Sequence, residues 1–274
     1  MSVKIIFDKE TLNKIIKEYK SDKKVKDICE SFSFSKPVLL RILKENNIEL
    51  RSNKIYKENS DYFSKIDNPH KSYWLGFLYA DGYVRKRKNS SELKLKLSIK
   101  DKEHLYKFRN SLDSNAVIKD GESVLVVDGR EYRSKCSFIS IYNPKIVDDL
   151  FNKGCVNKKT LTIEFPKWLD NDLKRHFIRG YFDGDGSIVE NKTYSGIRIN
   201  FCSGSYSFIE ELDNFLHKIL NVSKTKLIRY EKTNSNYLQY NKQSDVFKVL
   251  DYMYNDVKIS LDRKNKIYNE YRNI

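Results

Sequence analysis

Residues 177–188 read FIRGYFDGDGSI and residues 74–84 read WLGFLYADGYV. Each is a short apolar run that carries a glycine and closes on Asp-Gly. Sliding the chain by 104 residues lays one over the other, and the overlay runs from Trp74–Leu112 onto Ile178–Leu216 without a gap. Gly76 meets Gly180, Asp81 meets Asp185, Gly82 meets Gly186 and Val84 meets Ile188. Leu93, Leu95 and Leu97 meet Ile197, Ile199 and Phe201, while Leu105, Phe108 and Leu112 meet Ile209, Leu212 and Leu216. Glycine on glycine, acid on acid and apolar on apolar over such a span marks an internal repeat.

Both copies follow one order. A short apolar helix ends in Asp-Gly, and a hairpin follows whose second strand alternates. Leu93, Leu95, Leu97 and Ile99 point one way and Lys94, Lys96 and Ser98 the other; Ile197, Ile199 and Phe201 alternate with Arg198 and Asn200. A helix comes next (102–112 and 206–220), then further strands and a closing helix. The pattern predicts an α+β fold in which each sheet has one apolar face under helices and one polar, basic face. Such a face suits a DNA major groove, and it is also what a merely solvated antiparallel sheet presents. The candidate contacts are Arg85, Arg87, Lys94 and Lys96 in the first copy and Arg198, Asn200, Lys226 and Arg229 in the second.

The Asp-Gly ends carry the chemistry. A hairpin turn explains Asp-Gly equally well, but a carboxylate at a helix C-terminus faces unpaired carbonyls and the negative end of the macrodipole. Two such ends side by side would repel, and a divalent cation would turn them into a site of hard oxygen ligands. Gly76 and Gly180 cost helix propensity. Both are accounted for if the two helices cross closely there and set Asp81 beside Asp185.

The chain has 274 residues, 39% of them apolar and 13% aromatic, which is enough to build a core. Lys and Arg exceed Asp and Glu by 52 − 37 = 15, spread along the chain, and a polyanionic partner follows from that excess. No signal sequence or spanning segment is apparent, so no membrane partner is expected, and the expected location is the cytoplasm or the compartment holding the host DNA. Cys29, Cys136, Cys155 and Cys202 never form CxxC, and the four histidines are scattered, which argues against zinc or disulfide frameworks.

Residues 1–52 read as three short helices. Leu12, Ile15, Ile16 and Tyr19 form one stripe, opened by Asp8 or Thr11; Val25, Ile28 and Cys29 form a second. Ser35 and Pro37 open a third, with Val38, Leu39, Ile42 and Leu43 on its apolar side. Lys36, Arg41, Lys44 and Arg51 lie on or just after its polar side. The pattern resembles a helix-turn-helix of the resolvase type; a plain three-helix interaction module fits too. Residues 53–72 read as a polar linker.

At the two motifs the chain resembles the LAGLIDADG homing endonucleases, over about 74–270. The match is very close at 177–188 and good at 74–84, where Tyr79 replaces the earlier acid. The resemblance implies two pseudo-symmetric αββαββα repeats with saddle-shaped sheets, 73–166 and 167–274, the motif helices forming their interface. It implies that Asp81 and Asp185, helped by the carbonyls of Ala80 and Gly184, hold Mg²⁺, for which Mn²⁺ can substitute. Lys159 and Lys264, 78 and 79 residues past those acids, take the family's basic position near the catalytic centre, and Asp101 and Ser205 line it. The implied activity is cleavage of double-stranded DNA by a monomer at a long, imperfectly palindromic site, one cut per strand, leaving short 3′ overhangs. A non-catalytic DNA-binding regulator and an RNA maturase are the rival readings; both motif acids being present favours the nuclease. Intein splicing is not expected, the chain starting at Met1 and ending Arg272-Asn273-Ile274.

Overall fold

The structure is a computed structural model and describes residues 7–21, 23–50, 56–87, 90–157, 159–190 and 196–272. The chain divides into two compact units, 1–55 and 56–274.

The first unit holds α1 (Lys9–Lys20), α2 (Val25–Ser31) and α3 (Lys36–Glu45). Asp8 caps α1, accepting from the Thr11 amide at 2.9 Å and hydroxyl at 2.7 Å. Ile15, Tyr19, Ile28, Phe34, Leu39, Ile42 and Leu43 form the core. The turn after α2 closes without glycine. Ser33 takes the left-handed conformation, φ 55°, and the amides of Ser33 and Phe34 bond back to the carbonyls of Glu30 and Cys29. That is a Schellman closure, with Phe34 as its buried apolar residue. Ser35 holds the cap position of α3 but makes no side-chain cap bond, contrary to expectation. Lys36 and Lys44 are exposed, Arg41 lies 4.0 Å from Glu45, and Arg51 is outside the described residues.

The second unit starts earlier than the sequence pattern suggests. Of the stretch expected to be a linker, Tyr62, Phe63 and Ile66 are buried in the core, and the backbone of Lys57 and Asn59 bonds to Asn115 and Leu112. Three apolar side chains in so polar a stretch make too short a pattern to mark a core, so only packing reveals them as such. Asn68 then caps α4 (Pro69–Asp81) through the Lys71 amide.

Two copies of one topology follow. The first is α4, β1 (Gly82–Arg87), β2 (Ser90–Ser98), α5 (Lys102–Ser111), β3 (Lys119–Val127), β4 (Arg130–Ile141) and α6 (Pro144–Asn152). The second is α7 (Asn171–Asp185), β5 (Gly186–Glu190), β6 (Ile197–Ser203), α8 (Tyr206–Leu220), β7 (Ile228–Tyr230), β8 (Ser235–Tyr240) and α9 (Gln243–Tyr254), closed by α10 (Asp262–Arg272). Each sheet is antiparallel, ordered β1-β2-β4-β3 and β5-β6-β8-β7. The alternation holds through Leu97 and Phe201: Leu93, Leu95, Leu97, Ile197, Ile199 and Phe201 are buried, while Lys94, Lys96, Arg198 and Asn200 take the other face. Ile99, expected to continue it, falls instead in a 3-10 turn, Ile99–Asp101, after the strand has ended.

Candidate active site

The site is made by the crossing of α4 and α7. At Gly76 an added Cβ would sit 2.0 Å from the Phe177 carbonyl oxygen; at Gly180 it would sit 2.0 Å from that of Tyr73. No side chain fits at either point, so the backbones touch. One turn on, a Cβ at Gly184 would meet that of Ala80 at 2.4 Å and an Asp81 carboxylate oxygen at 3.3 Å. The helices therefore arrive together at their C-termini, where Asp81 and Asp185 are the last helical residues.

The two acids are open to solvent, yet the protein around them removes much of their hydration. That desolvation, joined by the facing charge of Asp185, pushes Asp81 up to about 6; Lys264, Lys159 and Arg263 oppose the rise. Desolvation also lifts Asp185, against Lys159 and Lys264. Neither shift involves a hydrogen bond to the carboxylate.

The two lysines occupy matching places. The buried Lys159 ammonium donates to the Gly82 carbonyl. Lys264, in the first turn of α10, donates to the carbonyls of Phe182 (2.5 Å), Asp183 (2.9 Å) and Gly186 (2.6 Å). Each lysine thus caps the C-terminus of its own motif helix, where a cation is favoured. Burial lowers Lys264 to about 8, against the pull of Asp183, Asp81 and Asp185.

Asp183, absent from the expected site residues, is fully enclosed. It accepts from Tyr73 at 2.7 Å, from Tyr254, and from the Leu261 amide at 2.7 Å. Beside it the buried Arg179 holds the carbonyls of Ile259 (2.9 Å) and Met253 (2.8 Å) and lies over the Tyr73 ring. Together they fix the segment that leads into Lys264. In the other copy Tyr79 donates to the Lys153 carbonyl and tethers the segment leading to Lys159.

Asp101 receives Arg263 through both carboxylate oxygens at 3.2 Å, joining the first repeat to α10 of the second. Arg263 acts on the charge of Asp81 and was missed by sequence reasoning, because its partner lies 162 residues away. Ser205 is spent on structure: its hydroxyl donates to the Ile163 carbonyl at 2.7 Å and accepts from the Phe208 amide, capping α8. Nothing there is free to react.

The outer sheet faces hold the expected basic residues in different states. Arg85 pairs with Glu92 at 2.8 Å, and Lys94 sits over the Phe138 ring at 4.2 Å. Lys96 donates to Ser123, and Asn200 to Ser187. Arg87, Arg198, Lys226 and Arg229 are exposed, but Arg229 pairs with the buried Asn236 and so stands on the helix-covered side of its sheet, away from the outer face. Arg198 and Asn200 line a shallow groove with Ile228, Tyr230, Tyr237 and Gln239.

Among the described residues no group of three or more His, Cys, Asp or Glu side chains could hold a metal. The pair fits a hard divalent cation nevertheless, because two desolvated, mutually repelling carboxylates on helix ends gain from a cation that carbonyls, water and substrate oxygens complete. No helix among the described residues is long and apolar enough to cross a membrane.

Comparisons with known proteins bear on the domain and the fold. Residues 172–254 match the model of the LAGLIDADG-like domain. The replication factor C small subunit of Methanocaldococcus jannaschii is 32% identical over 193 residues, 61% of this chain and 10% of that protein. An uncharacterized protein of the same organism is 26% identical over 189 residues, 65% of this chain and 66% of its own length. This chain therefore spans a small part of the first relative and about two thirds of the second. Among solved structures, the homing endonuclease I-WcaI bound to its DNA recognition sequence superposes with a TM-score of 0.52 and 13% identity, covering 81% of this chain and 97% of that one. The chain carries a LAGLIDADG-like domain and, across its two repeats, has the fold of the LAGLIDADG homing endonucleases.

Proposed function

We propose that this protein is a site-specific, divalent-metal-dependent endonuclease of double-stranded DNA. The observation that carries the reading is the convergence of Asp81 and Asp185 where a glycine-tight helix crossing delivers both, each raised by desolvation and Asp81 also by the charge of Asp185. Asp81, Asp185 and the carbonyls of Ala80 and Gly184 would hold the cation, Mg²⁺ or Mn²⁺. When bound, it polarises the scissile phosphate and lowers the pKa of the attacking water. Lys264 directs its ammonium onto three carbonyls, so it acts as a fixed positive charge beside the reacting phosphate and not as a proton acceptor. Lys159 takes the same place in the other repeat, and Asp101 holds Arg263 at the edge of the centre. The two outer sheet faces supply the DNA contacts through Arg85, Arg87, Lys94, Lys96, Arg198 and Asn200, with the exposed Lys226 beside β7. Two unequal halves in one chain give a monomer an imperfectly palindromic target.

The N-terminal unit, with Lys36, Arg41 and Lys44 on α3, is read as an accessory DNA contact. Its removal at residue 56 should weaken binding and flatten the salt dependence while leaving cleavage chemistry intact.

The test is cleavage selection from a randomised duplex library with Mg²⁺, using the parent, Asp81→Asn and Asp185→Asn. The parent should cut both strands at one long site, and each variant should bind that site without double-strand cleavage. Wild-type cutting by either variant would remove that acid from the mechanism. Binding without cutting by the parent would make the chain a regulator.

A further inference from the structure

Repeat 1 has a feature that repeat 2 lacks. β3 and β4 pair for nine residues, from Lys119↔Phe138 to Val127↔Arg130, whereas β7 and β8 share three. The outer part of the long hairpin exposes Val124, Leu125, Val126, Val127 and Tyr132, Leu125 to 63%. Apolar groups standing free on a ribbon that the fold does not need call for a partner.

The strand register decides which face they serve. Leu97 points into the core and pairs with Ser137; Ser98, on the opposite face, pairs with Cys136. Counting outward by twos, Ser134, Tyr132 and Arg130 share that outer face with their partners Ser123, Leu125 and Val127. The hydrogen bond from Lys96 to Ser123, 3.1 Å, ties it to the basic face of β2. Leu125 and Tyr132, directly cross-strand, therefore extend the surface that carries Lys94 and Lys96. The hairpin's acids Glu122 and Glu131 sit on the other face, both close to Arg133. On the outer face Lys119 and Arg130 add to the lysines, and Glu92 is neutralised by Arg85. An apolar pair inside a cationic field fits a polyanion that offers an apolar group.

We propose that Leu125 and Tyr132 read thymine 5-methyl groups in the half-site contacted by repeat 1. This rests on the reading of the chain as a DNA endonuclease. The major groove admits a two-stranded ribbon, and the apolar group it displays is the thymine methyl. Repeat 2 sets Ile228 across from Tyr237 on its own outer face beside Arg198, Asn200 and Gln239, but on a three-residue hairpin. The Leu125–Tyr132 pair stands on a ribbon that only repeat 1 has, and Leu125→Ser marks the positions that this pair reads.

The test takes the full chain and its selected duplex without divalent metal. Each thymine is replaced in turn by deoxyuridine, which removes only the methyl, and affinity is read by fluorescence anisotropy. One or two neighbouring positions in one half-site should lose 3- to 10-fold in affinity, and the Leu125→Ser protein, altered at an exposed site, should no longer respond to the replacement there. Indifference to deoxyuridine everywhere, or an undiminished response in Leu125→Ser, overturns the proposal. So does a Leu125→Ser protein with parental DNA affinity that has lost a self-association seen by sedimentation, which would give the hairpin to a second copy of the chain. A chain that binds no duplex at all overturns the endonuclease reading, and the proposal with it.

Discussion

Tyr79 and Asp183 stand 104 residues apart at matching places in the two motif helices, and each fastens its helix to the closing segment of its own repeat. The phenol does so with one bond to the Lys153 carbonyl, next to Gly154, whose φ of 86° and 2.4 Å clearance to the Tyr79 oxygen exclude a side chain. The carboxylate does so with three, taking in Tyr73 of the opposite helix. One geometric task is met by two chemistries, and the two halves are therefore tethered unequally.

That inequality sets the first prediction. Asp183→Ala strands three buried donors and removes the acid beside Arg179 and Lys264, at a cost of about 3–5 kcal/mol. Tyr79→Phe gives up a single bond, at about 1 kcal/mol. Urea denaturation of both variants measures the gap. Equal losses would show that the second repeat is no more tightly tethered than the first.

Neutralising a metal-site acid should separate stability from activity. The fold disfavours ionised Asp81 and Asp185, since desolvation raises both. Without divalent metal, Asp81→Asn should therefore melt at or above the parent temperature, by up to a few degrees. Added Mg²⁺ should raise the melting temperature of the parent and much less that of the variant, because only a ligand that binds the native site stabilises it. A parent indifferent to Mg²⁺ at millimolar concentration would leave the acid pair without its cation.

At the crossing the smallest side chain is already too large. Gly180→Ala places a methyl 2.0 Å from the Tyr73 carbonyl oxygen, where helix propensity alone would reward alanine by up to about 1 kcal/mol. Overpacking should win, lowering stability by about 1–3 kcal/mol and reducing cleavage as Asp185 moves away from Asp81. A stabilised Gly180→Ala protein would mean that the backbones do not meet.

The buried His104 gives the protein an acid limit. Its Nε2 lies 2.9 Å from the Tyr73 hydroxyl, which itself donates to Asp183, so Nε2 carries the proton. Nδ1 is buried without a partner, and burial holds the imidazole down to about 3. Unfolded, it would titrate near its ordinary 6.5. Protons are then taken up on unfolding, so this stability is intact above pH 6.5 and is lost progressively as pH falls toward 3. His104→Gln should flatten the stability profile between pH 6.5 and 4 relative to the parent; parallel profiles would show that another group controls the acid limb.

The sequence by itself determined the repeat, the two motif helices, the alternation of the strands and the pairing of Asp81 with Asp185 and Lys159 with Lys264. Those features are written in local periodicity, in the 104-residue offset or, for the lysines, in a spacing of 78 and 79 residues past the motif acids, and all survive projection onto a line. Tertiary structure alone decided the rest. Tyr62 and Phe63 sit in a polar stretch and become core only because α5 and its following loop receive them. Ser205, the repeat partner of Asp101, turns inward to cap α8 while Asp101 reaches Arg263. Asp183 gathers Tyr73, Tyr254 and Leu261, which lie 110, 71 and 78 residues away. None of these contacts has a period to read. They exist because two glycines let a pair of helices touch, and that contact fixes which distant side chains meet.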